Sequence, residues 1–466
     1  VLFRSERGPL RDIRRYIERA QQAAAGATPV ERALIGALAV RYGRADAREQ
    51  QTYEAMGSAM CSTRKADRKV DPQEYAYAAA MADVLRQFPD NPDVVTLYAD
   101  AVMTTMPWDW WDPKTGQANG SVGDVITRLA AVVRKHPQHT GALHFYVHVA
   151  EHSPDPRQAE AAADGLGNAA PEAPHLVHMG SHIYKNIGRF ADGSRANEQA
   201  LQVQQRFDAV LRTQGVHRPG RWDAHHLHFL WYAALMEGRA GLALHTARTY
   251  AERFGTKGDG DGEYAQLLPL ATLVRLQRWD ELLAEPAART GLGLLEGYAA
   301  YGRGMAYANT GRLGQAKAEL ANVQRLREQP TLQRARIYGE DVPAKLMAMA
   351  HDTLAGTIAR AEQRHDEAIA LLRKAADIDD ELGNDPPLYG GGARLALAGA
   401  LLDAGKADGA GKEITEALRL NGPSAWTHQG LAQLADRRGA RDEGQRHAAQ
   451  AREAWKNADG AALPRL

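Results

Sequence analysis

An all-α chain wound as an α-solenoid of helical hairpins is expected from three observations. Ala, Leu, Arg, Glu and Gln dominate the 466 residues, apolar residues recur at helical spacing, and no stretch alternates as a strand would. The 44% hydrophobic and 24% charged content is that of a folded chain, long enough for two or three domains or one extended repeat array. With 57 basic against 57 acidic residues, nothing pulls the chain globally toward nucleic acid. No apolar run reaches 18 residues, so no membrane span is expected.

Taken in order, residues 1–72 read as N-terminal helices, their basic stretch 11–19 balanced by acids and solvent-facing. Residues 74–88, 124–135 and 316–326 read as amphipathic helices, with Pro89-Asp90-Asn91-Pro92 as one of the punctuating turns. A spacing then recurs: a Gly, five residues to a small residue, and apolar positions four and seven beyond. It appears weakly as Gly188…Gly193…Asn197…Ala200, again as Gly238…Ala243…Ala247…Tyr250, and better as Gly311…Ala316…Leu320 and Gly405…Ala410…Ile414…Ala417. In Ala368…Leu372…Ala375, Gln363 replaces the Gly. Small residues let two antiparallel helices approach closely, and the Gly ends the first of them. This resembles the tetratricopeptide repeat (TPR), a helix–turn–helix unit of about 34 residues.

Units then fall near 73–90, 91–137, 140–172, 174–206, 224–255, 297–330, 349–383, 391–423 and 424–457. The expected organisation is residues 1–72 as N-terminal helices, 73–255 as repeats carrying the site, and 256–466 as C-terminal repeats. Insertions at 106–123, with Met-Pro-Trp-Asp-Trp-Trp, and at 208–223, with Gly220-Arg221-Trp222, break the period. Such loops either serve function or cap apolar surface.

Histidine is the residue that clusters. Twelve of 17 lie between His136 and His228, against five in the rest of the chain. Numbering each unit so that Ala159, Gly193 or Ala243 is position 20 puts His144, His178 and His228 at position 5. His148 and His182 fall at position 9, with Tyr232 in the third unit, and His175 and His225 at position 2. Glu151 follows at position 12, and Asp100 stands at position 9 of the preceding unit. Spacings of three and four put these on one helical stripe. His-x-x-x-His pairs, as in His144/His148 and His178/His182, can chelate an ion, and imidazoles of neighbouring helices can share one.

The single cysteine, Cys61, excludes a thiolate-rich metal site. Imidazole-rich sites suit copper, zinc or iron, with all-His pairs favouring copper and added Glu151 or Asp100 favouring zinc or iron. A metalloenzyme would use Glu151 as general base in hydrolysis, or an open coordination position in oxidation; Tyr184 and Tyr232 stand beside the cluster as further catalytic candidates. Glu151, Ser181 or Tyr184 would accept from the ring N–H that a metal-bound histidine leaves free. Trp108, Trp110, Trp111, Met179, Trp222 and Trp231 offer apolar walls for a small-molecule pocket. Alternatives left open are a buried histidine–tyrosine network, with Tyr146, Tyr184, Tyr232 and Glu151, and a groove for a peptide or protein partner. His226 either adds a ligand or faces out.

The stretches Gly141–His148, His175-Leu-Val-His-Met-Gly-Ser-His-Ile-Tyr184 and His225-His-Leu-His-Phe-Leu-Trp231 resemble a bacterial, His-rich TPR subfamily. The resemblance covers about residues 90–250 and implies a concave ligand-binding groove with His144, His148, Glu151, His175, His178, His182, His225 and His228 as its site. Gly180 and His226 depart from its pattern, where Pro and Asn are usual. Other motifs are negative: Gly258-Asp-Gly-Asp-Gly262 reads as a solvated loop, and Gly390-Gly-Gly-Ala393 lacks a following Lys-Ser/Thr. No strained elbow surrounds Ser181, which argues against a serine-hydrolase triad. Because the sequence starts at Val1, the compartment stays open between cytoplasm and periplasm.

Overall fold

Asp71 and Asn91 each precede a proline, and their side chains accept from Gln73 N and Val94 N, so both following helices start with a capped, pre-formed turn. The computed structural model describes residues 10–42, 70–215, 223–286, 291–337, 339–383, 386–459 and 463. Cys61, Gly220-Arg221-Trp222 and the first two residues of the turn Asn384-Asp-Pro-Pro387 lie outside them. The described residues contain α-helices, short 3-10 turns and two isolated bridges, and no strand. No helix is long and apolar enough to cross a membrane.

The chain forms two compact units, Val1–Glu172 and Ala173–Leu466. In the first, the helices Pro29–Tyr42, Pro72–Gln87, Pro92–Thr105, Val122–Lys135, Thr140–Glu151 and Glu160–Ala169 each pack on the next. Arg41 is buried there with Glu74, at 2.8 Å, its guanidinium 4.5 Å over Tyr77. Asp100, anticipated as a carboxylate flanking the histidines, instead faces Arg41 at 3.7 Å. The insertion 106–123 folds back on its own unit. Trp110 Nε1 donates to Met103 O (3.1 Å), Trp111 Nε1 donates to Val149 O (2.7 Å), and Trp111 bridges Ala118.

The second unit stacks hairpins, each helix against its chain neighbour. Asp223–Met236 pairs with Ala240–Phe254, Leu294–Asn309 with Leu313–Arg327, and Val342–Ala361 with His365–Leu382. Ala393–Asp403 pairs with Ala407–Asn421, and Ala425–Arg437 with Arg441–Ala454. This is the α-solenoid of TPR-like hairpins expected from the repeat. At the crossing an added Cβ on Gly193 would lie 3.5 Å from Ala233, an ordinary contact, so the position accepts the Ala that other repeats carry there.

Two readings of the sequence need correction. Residues 258–262 are not a solvated loop: Asp259 caps the helix Gly260–Arg275, accepting from Gly262 N at 2.9 Å, and a Cβ on Gly260 would collide with the Arg336 carbonyl. That helix with Trp279–Ala284 makes a further hairpin, hidden because Pro269 sits inside it. The second insertion also begins as helix, since Phe190–Thr213 runs on through residue 213.

The unit also closes on itself. Asp459 accepts from Ala240 N and Gly241 N, both at 2.7 Å, capping the helix Ala240–Phe254 from the far end of the sequence. A Cβ on Gly188 would strike Pro423, which is where the two ends of the stack meet.

Candidate metal centre

Within the second unit, three imidazoles converge. The helix Pro174–His178 continues through Met179, whose φ of −54° and ψ of −33° keep it helical, into Gly180–Ile187. His178 and His182 thus lie one turn apart, and the helix Asp223–Met236 supplies His225. One ligand nitrogen from each lies within 4.8 Å of the others. His178 and His182 are fully buried, and their Nε2 atoms are 3.0 Å apart. That is the spacing of two adjacent ligands on one ion with bonds of about 2.0–2.1 Å.

The protonation of His178 follows from its neighbours. Asn197 Nδ2 donates to Gly193 O at 2.8 Å, which turns Asn197 Oδ1 toward His178 Nδ1 at 2.6 Å. An amide oxygen accepts, so Nδ1 carries the proton and Nε2 presents its lone pair. Ser181 Oγ lies 3.3 Å from the same Nδ1. Without metal, His182 Nε2–H donates to that lone pair; His182 would ligate as the other tautomer, its proton on Nδ1 and its Nε2 lone pair free. Burial, with His225, His226 and His182 nearby, holds His178 well below the usual imidazole range, so it is neutral at ordinary pH.

Phe229 forms one wall. Its ring is 4.7 Å from that of His178, 4.5 Å from His182 and 4.8 Å from His225. His226 does not face out: it is buried, its ring 4.8 Å from His178, with no hydrogen-bond partner at either nitrogen among the described residues. Burial and His182 push it down to about 3. It is not one of the three converging ligands.

The other candidates are not part of this trio. His228 stacks on Trp231 and lies 2.9 Å from the Tyr264 hydroxyl, which donates to Leu388 O. His175 lies beside His178, rings 6.2 Å apart. Tyr184 lies under Arg189, the guanidinium 4.6 Å from its ring. Tyr232 is buried beside Arg275 and Asp379, and burial raises its phenol. In the first unit, His144 and His148 rings are 4.7 Å apart, and His148 Nδ1 meets Glu151 Oε1 at 3.0 Å with both side chains buried. A carboxylate at Nδ1 aims the imidazole Nε2 outward as an acceptor.

Asn197 and Phe229 were not anticipated. Asn197 carried a signal, being polar where the other repeats have an apolar residue. Phe229 carried one too, four residues after His225.

No family model matches the chain, and no curated protein matches it. Among solved structures it is similar to the APC/C hetero-tetramer Cut9–Hcn1, at 12% identity over 96% of this chain and 85% of that one, with a TM-score of 0.24.

Proposed function

We propose that the chain is a metal-binding protein in which His178, His182 and His225 hold one transition-metal ion. The observation that carries this is the convergence of three buried or part-buried imidazole nitrogens within 4.8 Å, with the Nδ1–H of His178 fixed by Asn197. Three neutral nitrogen ligands suit zinc or copper and leave a coordination position for water or substrate, the arrangement of a metalloenzyme. His-rich TPR relatives, as the sequence resembles them, would share this scaffold. A hydrolase or an oxidoreductase both use such a position. TPR-like hairpins also favour a second reading, a scaffold for a peptide or protein partner.

Elemental analysis of untagged protein, incubated with zinc, copper or iron and then desalted, tests the first reading. About one ion per chain is expected, lost in His178→Ala/His182→Ala. A wild-type chain that retains no ion, or a double variant that retains it fully, overturns the assignment.

A further inference from the structure

Outside the histidine trio, the second unit holds a cavity of about 130 Å³ that no part of the metal reading uses. Tyr232, Arg275, Asp379, Leu395 and Ala417 line it, together with the loop Gly390–Gly392. A cavity of this order holds an organic molecule of about six or more heavy atoms.

The loop explains why the guanidinium is there. Gly390, Gly391 and Gly392 all have positive φ, 85°, 68° and 114°. A Cβ on Gly392 would lie 2.9 Å from Arg275 Nη1, and one on Gly390 would lie 2.9 Å from Leu235. Gly390 and Gly392 therefore let the backbone close down over Arg275. On its other side the guanidinium sits 4.2 Å over the Trp426 ring. Its Nε is shut away from solvent and has no hydrogen-bond partner. An unsatisfied donor on a buried cation is costly and calls for an acceptor.

Asp379 has the opposite need. Its carboxylate accepts from Ala393 N at 3.3 Å, and burial raises its titration to about 6. The neighbouring charges are already used: Asp380 pairs with Arg394, which also donates to Glu413 at 2.6 Å. Among the described residues, Arg275 and Asp379 are the lining charges with no ion-pair partner within 4.0 Å. One cation and one anion, set in a cavity with Tyr232, Leu395 and Ala417 as apolar wall, are the complement of a small zwitterion.

We infer that this cavity binds a small apolar amino acid, its carboxylate on Arg275 and its ammonium on Asp379. The site is separate from the trio, so it stands whether or not a metal is bound.

Calorimetric titration of the full chain tests this. L-Valine and γ-aminobutyrate serve as probes with short and long charge spacing; isovalerate and isobutylamine each lack one charge. At least one zwitterion should bind saturably below about 10 mM, and each single-charge analogue at least about tenfold more weakly. Arg275→Met and Asp379→Asn should each lose about tenfold. Ala417→Leu, which adds bulk to the wall and leaves both charges, should also abolish binding and decides the matter where Arg275→Met fails to fold. No saturable heat from either zwitterion overturns the proposal. So does binding unchanged in Ala417→Leu, or binding of isovalerate as tight as that of valine.

Discussion

Asn197→Leu separates a metal ligand from the residue that orients it. The leucine keeps the side-chain volume and removes both bonds of the amide: the acceptor 2.6 Å from His178 Nδ1 and the donor to Gly193 O. His178 and Asn197 are both fully buried, so water does not replace what is lost. An N–H left unsatisfied in such surroundings costs about 1–3 kcal/mol of stability. The larger consequence is for the metal. With no acceptor at Nδ1, the imidazole proton is no longer held on the side away from the ion, and the ring is free to tilt. Losing a partner of this kind weakens metal affinity by about 10–100-fold. Asn197→Asp keeps an acceptor at the same place and should hold affinity at or above the wild-type value. Competition of zinc or copper against a chromogenic chelator reads the affinity, and circular dichroism confirms the fold. If folded Asn197→Leu binds within about twofold of wild type, His178 is not a ligand oriented by Asn197. If Asn197→Asp falls as far as the leucine variant, packing rather than the hydrogen bond is responsible.

Three further outcomes are expected. Asp459→Ala removes a side chain that caps the helix Ala240–Phe254, where Arg239 makes no cap of its own; chemical denaturation should show a loss of about 1 kcal/mol. Glu74→Ala leaves Arg41 buried without its 2.8 Å partner, and the first unit should lose about 3–5 kcal/mol in the same assay, while Glu74→Asp loses less. Asp379→Asn acts through pH. A carboxyl whose folded value is raised from 3.8 to about 6 favours folding below 3.8, loses that advantage as pH rises to 6, and is penalised above it by at most roughly 3 kcal/mol. The asparagine variant should therefore match wild type near pH 4 and exceed it at pH 7.5; equal stability at both values would show that the carboxyl is not perturbed.

Much of the hairpin stack was legible because it is written in single residues with one physical job. Gly188, Gly238, Gly311 and Gly405, picked out as helix ends by their spacing, all have positive φ between 72° and 80°. Gln363, which replaces Gly in that pattern, adopts φ of 60° regardless, so the repeat imposes the turn even on a residue that resists it. What stayed hidden depends on contacts distant in sequence. The hairpin 260–284 carries a proline in its helix and glycines at its start, and its Trp231–Thr272 hydrogen bond spans 41 residues. The return of Asp459 to the helix beginning at Ala240, and the enclosure of Arg275 by a triple glycine and Trp426, have no local periodicity to announce them.

The histidine stripe shows where periodicity stops short. His225, His228 and Tyr232 lie at spacings of three and four, so they share a face of Asp223–Met236. A face is not a site. At 1.5 Å of rise per residue, His225 and Tyr232 are separated by about 10 Å along the axis, whereas the ligand atoms of His178, His182 and His225 lie within 4.8 Å of one another. Only residues within one turn on one helix, plus whatever the neighbour supplies at the same height, can converge. His178 and His182 meet that condition on one helix, and His225 meets it on the other. His228, three residues further along, reaches the Tyr264 hydroxyl instead, and Tyr232, a further turn along, reaches the cavity of Arg275. A stripe read from sequence thus gathers ligands, braces and pocket walls into one set, and height along the helix is what sorts them.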